Sequence, residues 1–242
     1  MSSGSSRRAA SSRSLPLPDP AALAALSAGG VAGAPANRLA TYAALVLAGN
    51  RRFNLTGAKD GAAFAAHILD ALTLRGDVVT PLVDVGSGNG LPGIPLALAT
   101  GARVVLVEPI KKRARFLRET LEMLGVDGSV VDLRAEDAAR DPAYREQFRT
   151  ATARAVASAP AVAELTLPFL AVGGRALLQR GSLAEQERDA VADAALVLGG
   201  AFIEERAVDG ERRIVVLEKR SATSPRFPRK NGVPAKRPLC LG

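Results

Sequence analysis

The chain has 242 residues, 48% of them hydrophobic, which is enough to bury the core of one domain of ordinary size. Its 32 basic and 24 acidic side chains give a formal net charge of +8, which favours a polyanionic partner such as a nucleic acid. No apolar run in the sequence approaches the roughly 20 residues of a membrane span. Cys240 is the only cysteine, which excludes an intrachain disulfide framework and a cysteine metal cluster. We therefore expect a cytoplasmic protein without a metal site.

The first part of the chain is predicted to be a leader followed by helices. Residues 1–20 are rich in Ser and Arg, and we expect a disordered basic leader because no apolar segment of signal-peptide length is present. Residues 21–76 are predicted to form a helical extension. It would contain a short helix over Ala21–Ser27, a second helix capped by Asn37 and a third capped by Asp60.

From residue 77 to residue 220, predicted strands alternate with predicted helices. This rhythm is typical of a doubly wound, mostly parallel sheet. The strands are expected at Leu82–Asp84, Arg103–Val107, Val130–Leu133, Ala151–Ala153, Arg175–Gln179, Ala201–Glu205 and Arg213–Leu217.

A glycine-rich turn follows the first of these strands. The strand ends in Asp84, and Gly86, Gly88 and Gly90 follow, where the missing Cβ atoms let the backbone turn sharply and approach a ligand. Pro92 then suits the first turn of a helix, where its absent N–H costs nothing. A strand, a glycine turn and a helix N-terminus in this order predict a nucleotide site at the carboxyl edge of the sheet.

Two acidic residues bear on which cofactor the turn would hold. The spacing Gly88-x-Gly90-x-x-Gly93 also fits the dinucleotide fingerprint, so a nicotinamide-dependent oxidoreductase is one alternative. Asp84 disfavours it, because a carboxylate there repels a pyrophosphate and attracts a cationic ligand such as S-adenosylmethionine. Glu108 ends the next strand, 18 residues after Gly90, and suits the ribose hydroxyls of either cofactor.

The last two predicted strands are joined through Asp209-Gly210, a pair typical of a hairpin turn. This hairpin would place one antiparallel strand in the sheet, an ending that a dinucleotide domain usually lacks. We therefore predict an α/β, Rossmann-like S-adenosylmethionine methyltransferase fold with a mostly parallel seven-stranded sheet over residues 77–220.

Residues 221–242 are predicted to form a flexible basic tail. No acidic residue follows Glu218, and the cations beyond it lie among four prolines. Such a segment is either a solvated terminus or an arm that contacts RNA.

Several stretches of the chain occur in the order found in a known family. They are Asn54-Leu55-Thr56, His67-Ile68-Leu69-Asp70, Asp84 to Leu96, Arg134-Ala135-Glu136, Arg154-Ala155-Val156-Ala157-Ser158 and Pro228 to Leu239. Together they resemble the bacterial small-subunit ribosomal RNA guanine-N7 methyltransferases, also called glucose-inhibited division protein B. The resemblance covers about residues 36–239, and its Leu-Pro-Gly-Ile-Pro extension of the turn is far more specific than the glycines.

The resemblance implies methylation of one guanine N7 in the 530 loop of 16S ribosomal RNA, with S-adenosylmethionine as the methyl donor. The partner would be this RNA or the small ribosomal subunit, and we expect a monomer. The resemblance also implies that Gly86 and Leu91 line the cofactor, that Ala135 and Glu136 flank its adenine, and that Arg154 completes the site.

Two positions depart from the family pattern. Ala66 stands where the family has Arg before His-Ile-Leu-Asp, and Arg180-Gly181 stands where Lys-Gly usually ends the fifth strand. The first departure removes a candidate RNA contact, and the second keeps the charge but changes its shape. His67 lies beside the apolar stripe of its helix and is expected to be a packed core residue.

Guanine N7 carries a lone pair in the neutral base, so we expect no general base, only residues that orient donor and acceptor. The cations predicted to contact RNA are Arg113, Arg115, Arg180, Arg229, Lys230, Lys236 and Arg237. A methyltransferase that acts on a small molecule or a protein remains the main alternative.

Overall fold

The computed structural model describes residues 15–154 and 157–239. Cys240, residues 1–14 of the predicted leader, and Ala155 and Val156 lie outside the described residues. Within the described ranges, no helix combines the length and apolar character that crossing a membrane requires. The same ranges contain no group of three or more His, Cys, Asp or Glu side chains that could hold a metal ion.

Three helices precede the sheet: α1 (Pro20–Ala28), α2 (Gly33–Phe53) and α3 (Gly61–Leu72). As predicted, the Asp60 carboxylate caps α3 by accepting the N–H of Ala63 at 2.8 Å. The cap predicted for α2 is wrong. Asn37 lies inside that helix, where its carbonyl accepts a hydrogen bond from the Thr41 hydroxyl at 2.9 Å.

Seven strands form one sheet in the order β3-β2-β1-β4-β5-β7-β6. Neighbouring strands from β3 to β5 are parallel, whereas β7 is antiparallel to both of its neighbours. The predicted fold and its terminal hairpin are therefore confirmed. The strands are β1 (Leu82–Val85), β2 (Val104–Val107), β3 (Gly128–Val131), β4 (Phe148–Arg154), β5 (Leu170–Gly181), β6 (Gly200–Asp209) and β7 (Arg212–Lys219).

Helices cover both faces of the sheet, so the central strands are buried on both sides. The strand order reverses between β1 and β4, and the crevice at such a switch point is where open α/β sheets bind ligands. The helices after β1 are α4 (Gly93–Thr100), α5 (Lys111–Leu124), α6 (Ala135–Ala138), α7 (Ala159–Thr166), α8 (Glu185–Val197) and α9 (Val233–Lys236).

Residues 221–239 pack against the domain, which revises the prediction of a flexible tail. The Arg145 guanidinium donates to the carbonyls of Thr223 at 2.7 Å and Phe227 at 2.9 Å. The Phe227 side chain is buried in a core cluster with Val215 and Leu217 of β7. These contacts satisfy backbone carbonyls that a solvated tail would leave to water.

Candidate cofactor and acceptor site

The glycine turn lies at the carboxyl end of β1, at the switch point. Gly86, Gly88 and Gly90 have φ angles of 74°, 56° and 107°, in the region that favours glycine. A Cβ on Gly90 would also lie 3.1 Å from the hydroxyl of Tyr42. That hydroxyl donates to the carbonyl of Asn89 at 3.0 Å, so α2 holds the turn from its outer side.

Asp84 lies beneath the turn and is fully buried. One carboxylate oxygen accepts a hydrogen bond from the Thr152 hydroxyl at 2.9 Å, and the other faces the Gly93 N–H at 3.4 Å. Burial raises the pKa of this carboxyl to about 6. Asp84 therefore supports the turn from inside the protein.

The raised pKa of Asp84 leads to a stability test. The folded chain binds the proton of this carboxyl more tightly than the unfolded chain, whose pKa is near the ordinary 3.8. Its stabilising contribution is complete below about pH 4 and is lost as the pH rises through about 6, a change of about 3 kcal/mol. We expect Asp84→Asn to remove this loss. In urea titrations, the unfolding free energy of the variant relative to the natural chain should rise by that amount between pH 4 and pH 7. A difference that is constant with pH would contradict the assignment.

Glu108 follows β2 and is 3% exposed. Its two carboxylate oxygens accept the N–H groups of Gly88 at 2.9 Å and Ile110 at 2.8 Å. Each oxygen keeps acceptor capacity for a further donor. The pair of oxygens is therefore compatible with two ribose hydroxyls beside the turn.

A largely apolar cavity of about 200 Å³ extends from the turn along the ends of β1 and β2. Gly86 and Ala135 form part of its wall on the side of the sheet. Gly232 and Ala235, which belong to the C-terminal segment, form another part. The cavity thus has the character of a pocket for a planar base, and Ala135 is among its lining residues.

Residues 228–239 close this cavity, and we call them the cap. Arg229 Nε lies 3.0 Å and its terminal nitrogen 2.6 Å from carboxylate oxygens of Glu164, a bidentate ion pair. The backbone N–H of Arg229 also donates to the Glu164 carboxylate at 2.6 Å, and the Glu164 side chain is fully buried. Arg229, predicted as an RNA contact, therefore anchors the cap. The exposed cations of the cap are Lys230, Lys236 and Arg237.

Glu136 lines the same cavity and also contacts the cap. Its carboxylate accepts the N–H of Gly232 at 2.7 Å, and the neighbouring Asp137 accepts from the Asn231 amide at 2.8 Å. The Glu136 side chain thus fastens the cap over the cavity. No local sequence pattern predicts these two contacts.

A polar cleft of about 220 Å³ lies on the other side of the turn. Asn50 shapes it, because its side-chain oxygen accepts the N–H groups of Leu55 at 2.5 Å and Thr56 at 2.9 Å. The Asn89 amide donates to the carbonyl of Leu55 at 3.1 Å and joins this segment to the turn. Sequence reasoning identified Leu55 and Thr56 but missed Asn50. The cleft is also lined by His67, Leu91, Arg113 and Arg154.

Arg154 stands at the border between this cleft and a third cavity. Its guanidinium lies 3.3 Å from the Asp70 carboxylate and 3.1 Å from Nδ1 of His67. A guanidinium can only donate, so Nδ1 accepts and the neutral ring carries its proton on Nε2. Burial and the positive charge of Arg154 lower the pKa of His67, which favours that neutral form. His67 packs edge-on against Phe64 but is only half-buried and lines the cleft, so it is not the core residue that the sequence predicted.

The third cavity, of about 400 Å³, lies between the ends of β4, β5 and β7. Its lining includes four arginines and two acidic residues, so it favours an anionic ligand. Arg180 is paired with Glu187 at 2.7 Å, and Arg212 with Asp70 at 3.5 Å. The four arginines are Arg154, Arg180, Arg212 and Arg213.

Two further predicted cations lie on α5. Arg113 lines the polar cleft beside the glycine turn. Arg115 is exposed and forms an ion pair with Glu119, one helical turn away, at 3.0 Å. The structure thus brings Arg113 to the cleft, whereas Arg115 faces solvent.

The sequence matches the family described as rRNA small subunit methyltransferase G, or GidB, over residues 36–215. A protein of Rubrobacter xylanophilus named Ribosomal RNA small subunit methyltransferase G is 44% identical over 213 residues, and the match covers 81% of each chain. A protein of the same name from Dehalococcoides mccartyi is 40% identical over 203 residues, covering 78% of this chain and 86% of the relative.

Two solved structures show the same fold. A variant of MtNAS in complex with S-adenosylmethionine has a TM-score of 0.53 and 15% identity, covering 76% of this chain and 75% of that chain. The branched-chain polyamine synthase from Thermus thermophilus, in complex with N4-aminopropylspermidine and 5′-methylthioadenosine, has a TM-score of 0.53 and 17% identity. That match covers 76% of this chain and 65% of the synthase.

Proposed function

The chain belongs to the rRNA small subunit methyltransferase G family, and we propose on that basis that it methylates N7 of a guanine in the 530 loop of 16S ribosomal RNA. One observation carries the proposal. The glycine turn and Glu108, which suit a nucleoside, lie beside an arginine-lined cavity, which suits an RNA chain. A donor site and an acceptor site therefore meet at one edge of the sheet.

The residues present fit S-adenosylmethionine as the methyl donor. The adenine would lie in the apolar cavity against Ala135 and the cap, and the ribose hydroxyls would bind Glu108. The cationic end would lie in the polar cleft, where the carboxylate of Asp84 beneath the turn is attractive. The remaining proposed cofactor contacts are Gly86, Gly88, Gly90, Leu91, Glu136 and Arg154.

The chemistry asks the protein for orientation. S-adenosylmethionine supplies a methyl group that its sulfonium makes electrophilic. Guanine N7 has a free lone pair, so no residue has to remove a proton from it, and aligning the two groups is the main contribution of the chain. Asp70 and His67 fix Arg154 at the border of the two sites, where it can bind guanine O6 or a phosphate. An arginine that used both O6 and N7 would block the reacting atom.

We propose that the RNA crosses this edge of the sheet, where Arg113 and Arg180 face the two cavities and Arg115 lies on the adjoining surface. The exposed cations of the cap, Lys230, Lys236 and Arg237, extend the same positive surface. The protein would act as a monomer in the cytoplasm, on 16S RNA or on the small ribosomal subunit.

Mass spectrometry of 16S RNA tests the function directly. RNA from cells that lack this gene is expected to lose one methylated guanine in the 530 loop, and the natural gene should restore it. The Gly88→Asp gene should not restore it, because its product cannot hold the cofactor. An unchanged methylation pattern, with tritiated methyl transferred instead to a protein or a small molecule, would overturn the assignment of the substrate.

A further inference from the structure

A basic groove lies on the surface next to the polar cleft. It is a cavity of about 300 Å³ between the end of α2 and the start of α5. Its lining residues include four exposed cations, Arg52, Lys111, Lys112 and Arg115, against one acidic residue, Glu119. We call these residues, with Phe53 and Phe116, the basic groove.

Two of the positive charges of the groove lie at the positive end of the α5 helix dipole. Lys111 and Lys112 occupy the first two positions of this helix, and its first turn contains no acidic residue. The N-terminus of a helix carries partial positive charge, so lysines there are unfavourable and acidic residues are the ordinary choice. The N-cap residue Ile110 makes no side-chain cap hydrogen bond. Within the fold, the Glu108 carboxylate that accepts the Ile110 N–H at 2.8 Å and the nearby Asp132 offset part of this repulsion, and an anionic partner would offset more of it.

Two aromatic rings lie beneath the cations of the groove; Phe53 is partly exposed, whereas Phe116 is buried in the core. The Phe53 and Phe116 rings lie 6.4 Å apart, and the Arg52 guanidinium lies 5.3 Å from the centre of the Phe53 ring. Cations combined with aromatic rings and guanidinium planes are what proteins use to bind single-stranded nucleic acid, through phosphates and stacked bases.

The groove and the polar cleft are lined by residues that are close neighbours along the chain. Phe53 ends α2, and the segment that follows it supplies Leu55 and Thr56 to the cleft. Arg113, one residue beyond Lys112, also lines the cleft. A strand of RNA that left the reaction site on this side would therefore come within reach of the four cations.

From this charge complementarity and proximity to the cleft, we infer that the basic groove binds single-stranded nucleotides flanking the methylated guanine. The inference rests on the proposed function and adds a second contact region, separate from the arginine-lined cavity. Lys111 and Lys112 bind phosphates in it.

The test uses Lys111→Gln/Lys112→Gln in the full chain and a matched control, Arg103→Gln/Arg149→Gln. The control removes two exposed cations at the opposite edge of the sheet, where β2 and β4 begin.

Ribosomal RNA from cells lacking the gene serves as substrate over a series of KCl concentrations. For the groove variant we expect KM for RNA to rise about tenfold and the slope of log KM against log salt to fall by about 1.4, since each contact to a single strand contributes about 0.7. The affinity of the groove variant for S-adenosylhomocysteine should stay within about twofold of that of the natural chain, because neither lysine lines the cavities proposed for the cofactor.

Three results separate the possibilities. The inference is overturned if the groove variant still methylates ribosomal RNA with an unchanged salt slope. It is also overturned if the control variant shows an equal change in slope. A loss of S-adenosylhomocysteine affinity assigns the lysines to the cofactor site and also overturns it. If the natural chain transfers no methyl group to ribosomal RNA, the proposed function fails. Fluorescence anisotropy then decides the inference: it survives if RNA binding depends on salt and on the two lysines, and it fails otherwise.

Discussion

Gly88→Asp is expected to lower the affinity for S-adenosylhomocysteine by at least about 100-fold, or roughly 3 kcal/mol, in a chain that still folds. Gly88 lines the polar cleft and gives its N–H to Glu108 at 2.9 Å. A carboxylate at this position fills part of the cleft and repels Glu108, the residue proposed to bind the ribose. Both effects act on the ligand.

The fold should tolerate this substitution because there is room for the new Cβ. Its nearest neighbour would be the Gly86 carbonyl oxygen at 3.8 Å. The positive φ of 56° costs a residue other than glycine about 1–2 kcal/mol, and Asp tolerates this region better than most. Isothermal calorimetry measures the affinity, and circular dichroism confirms the fold.

Gly76→Asp is the matched control for this variant. Gly76 lies before β1, away from the turn, and a Cβ there would meet nothing within 4 Å. Its variant should bind S-adenosylhomocysteine like the natural chain. Micromolar binding retained by Gly88→Asp would refute the assignment of the turn as the cofactor site.

Arg229→Ala should destabilise the protein by about 3–5 kcal/mol and weaken cofactor binding by tenfold or more. The substitution leaves the carboxylate of Glu164 buried without its bidentate partner. It also frees the cap, so Gly232 and Ala235 no longer enclose the apolar cavity. Urea denaturation measures the first effect, and calorimetry with S-adenosylhomocysteine measures the second.

Lys230→Ala provides the comparison, because it removes the adjacent cation, whose side chain is exposed. Its unfolding free energy should change by no more than about 0.5 kcal/mol. Glu164→Gln/Arg229→Gln should recover part of the lost stability, since no buried charge then lacks a partner. If Arg229→Ala lowers stability but binds the cofactor normally, the cap is a structural element only.

The sequence predicted the parts of the site that depend on neighbouring residues. The glycine turn, Asp84 and Glu108 lie at the carboxyl ends of two adjacent strands. The alternation of strands and helices in the sequence is therefore enough to locate them. The hairpin at Asp209-Gly210 was equally local, and the structure confirms it. Boundaries were less accurate: β5 extends over Leu170–Gly181, well beyond the predicted Arg175–Gln179.

The cap was not predictable in the same way. Its cations and prolines have the composition of a solvated segment, and only tertiary contacts decide otherwise. Arg229 finds Glu164 across 65 positions of sequence, and Gly232 finds Glu136 across 96. A buried carboxylate such as Glu164 shows no local sign that its partner lies in the tail. Asn50 was missed for a related reason, since its role depends on a bend beyond the end of its helix.

The two surfaces of the cap differ in character. Its inner surface encloses the apolar cavity through Gly232, and its outer surface carries Lys230, Lys236 and Arg237. A polyanion that holds the cap shut therefore slows the escape of whatever lies beneath it. Thermodynamic reciprocity requires that an occupied cavity strengthen the grip on that polyanion by the same factor. If the proposed cofactor and RNA contacts hold, one short segment would couple the affinities of the two reactants without a moving domain.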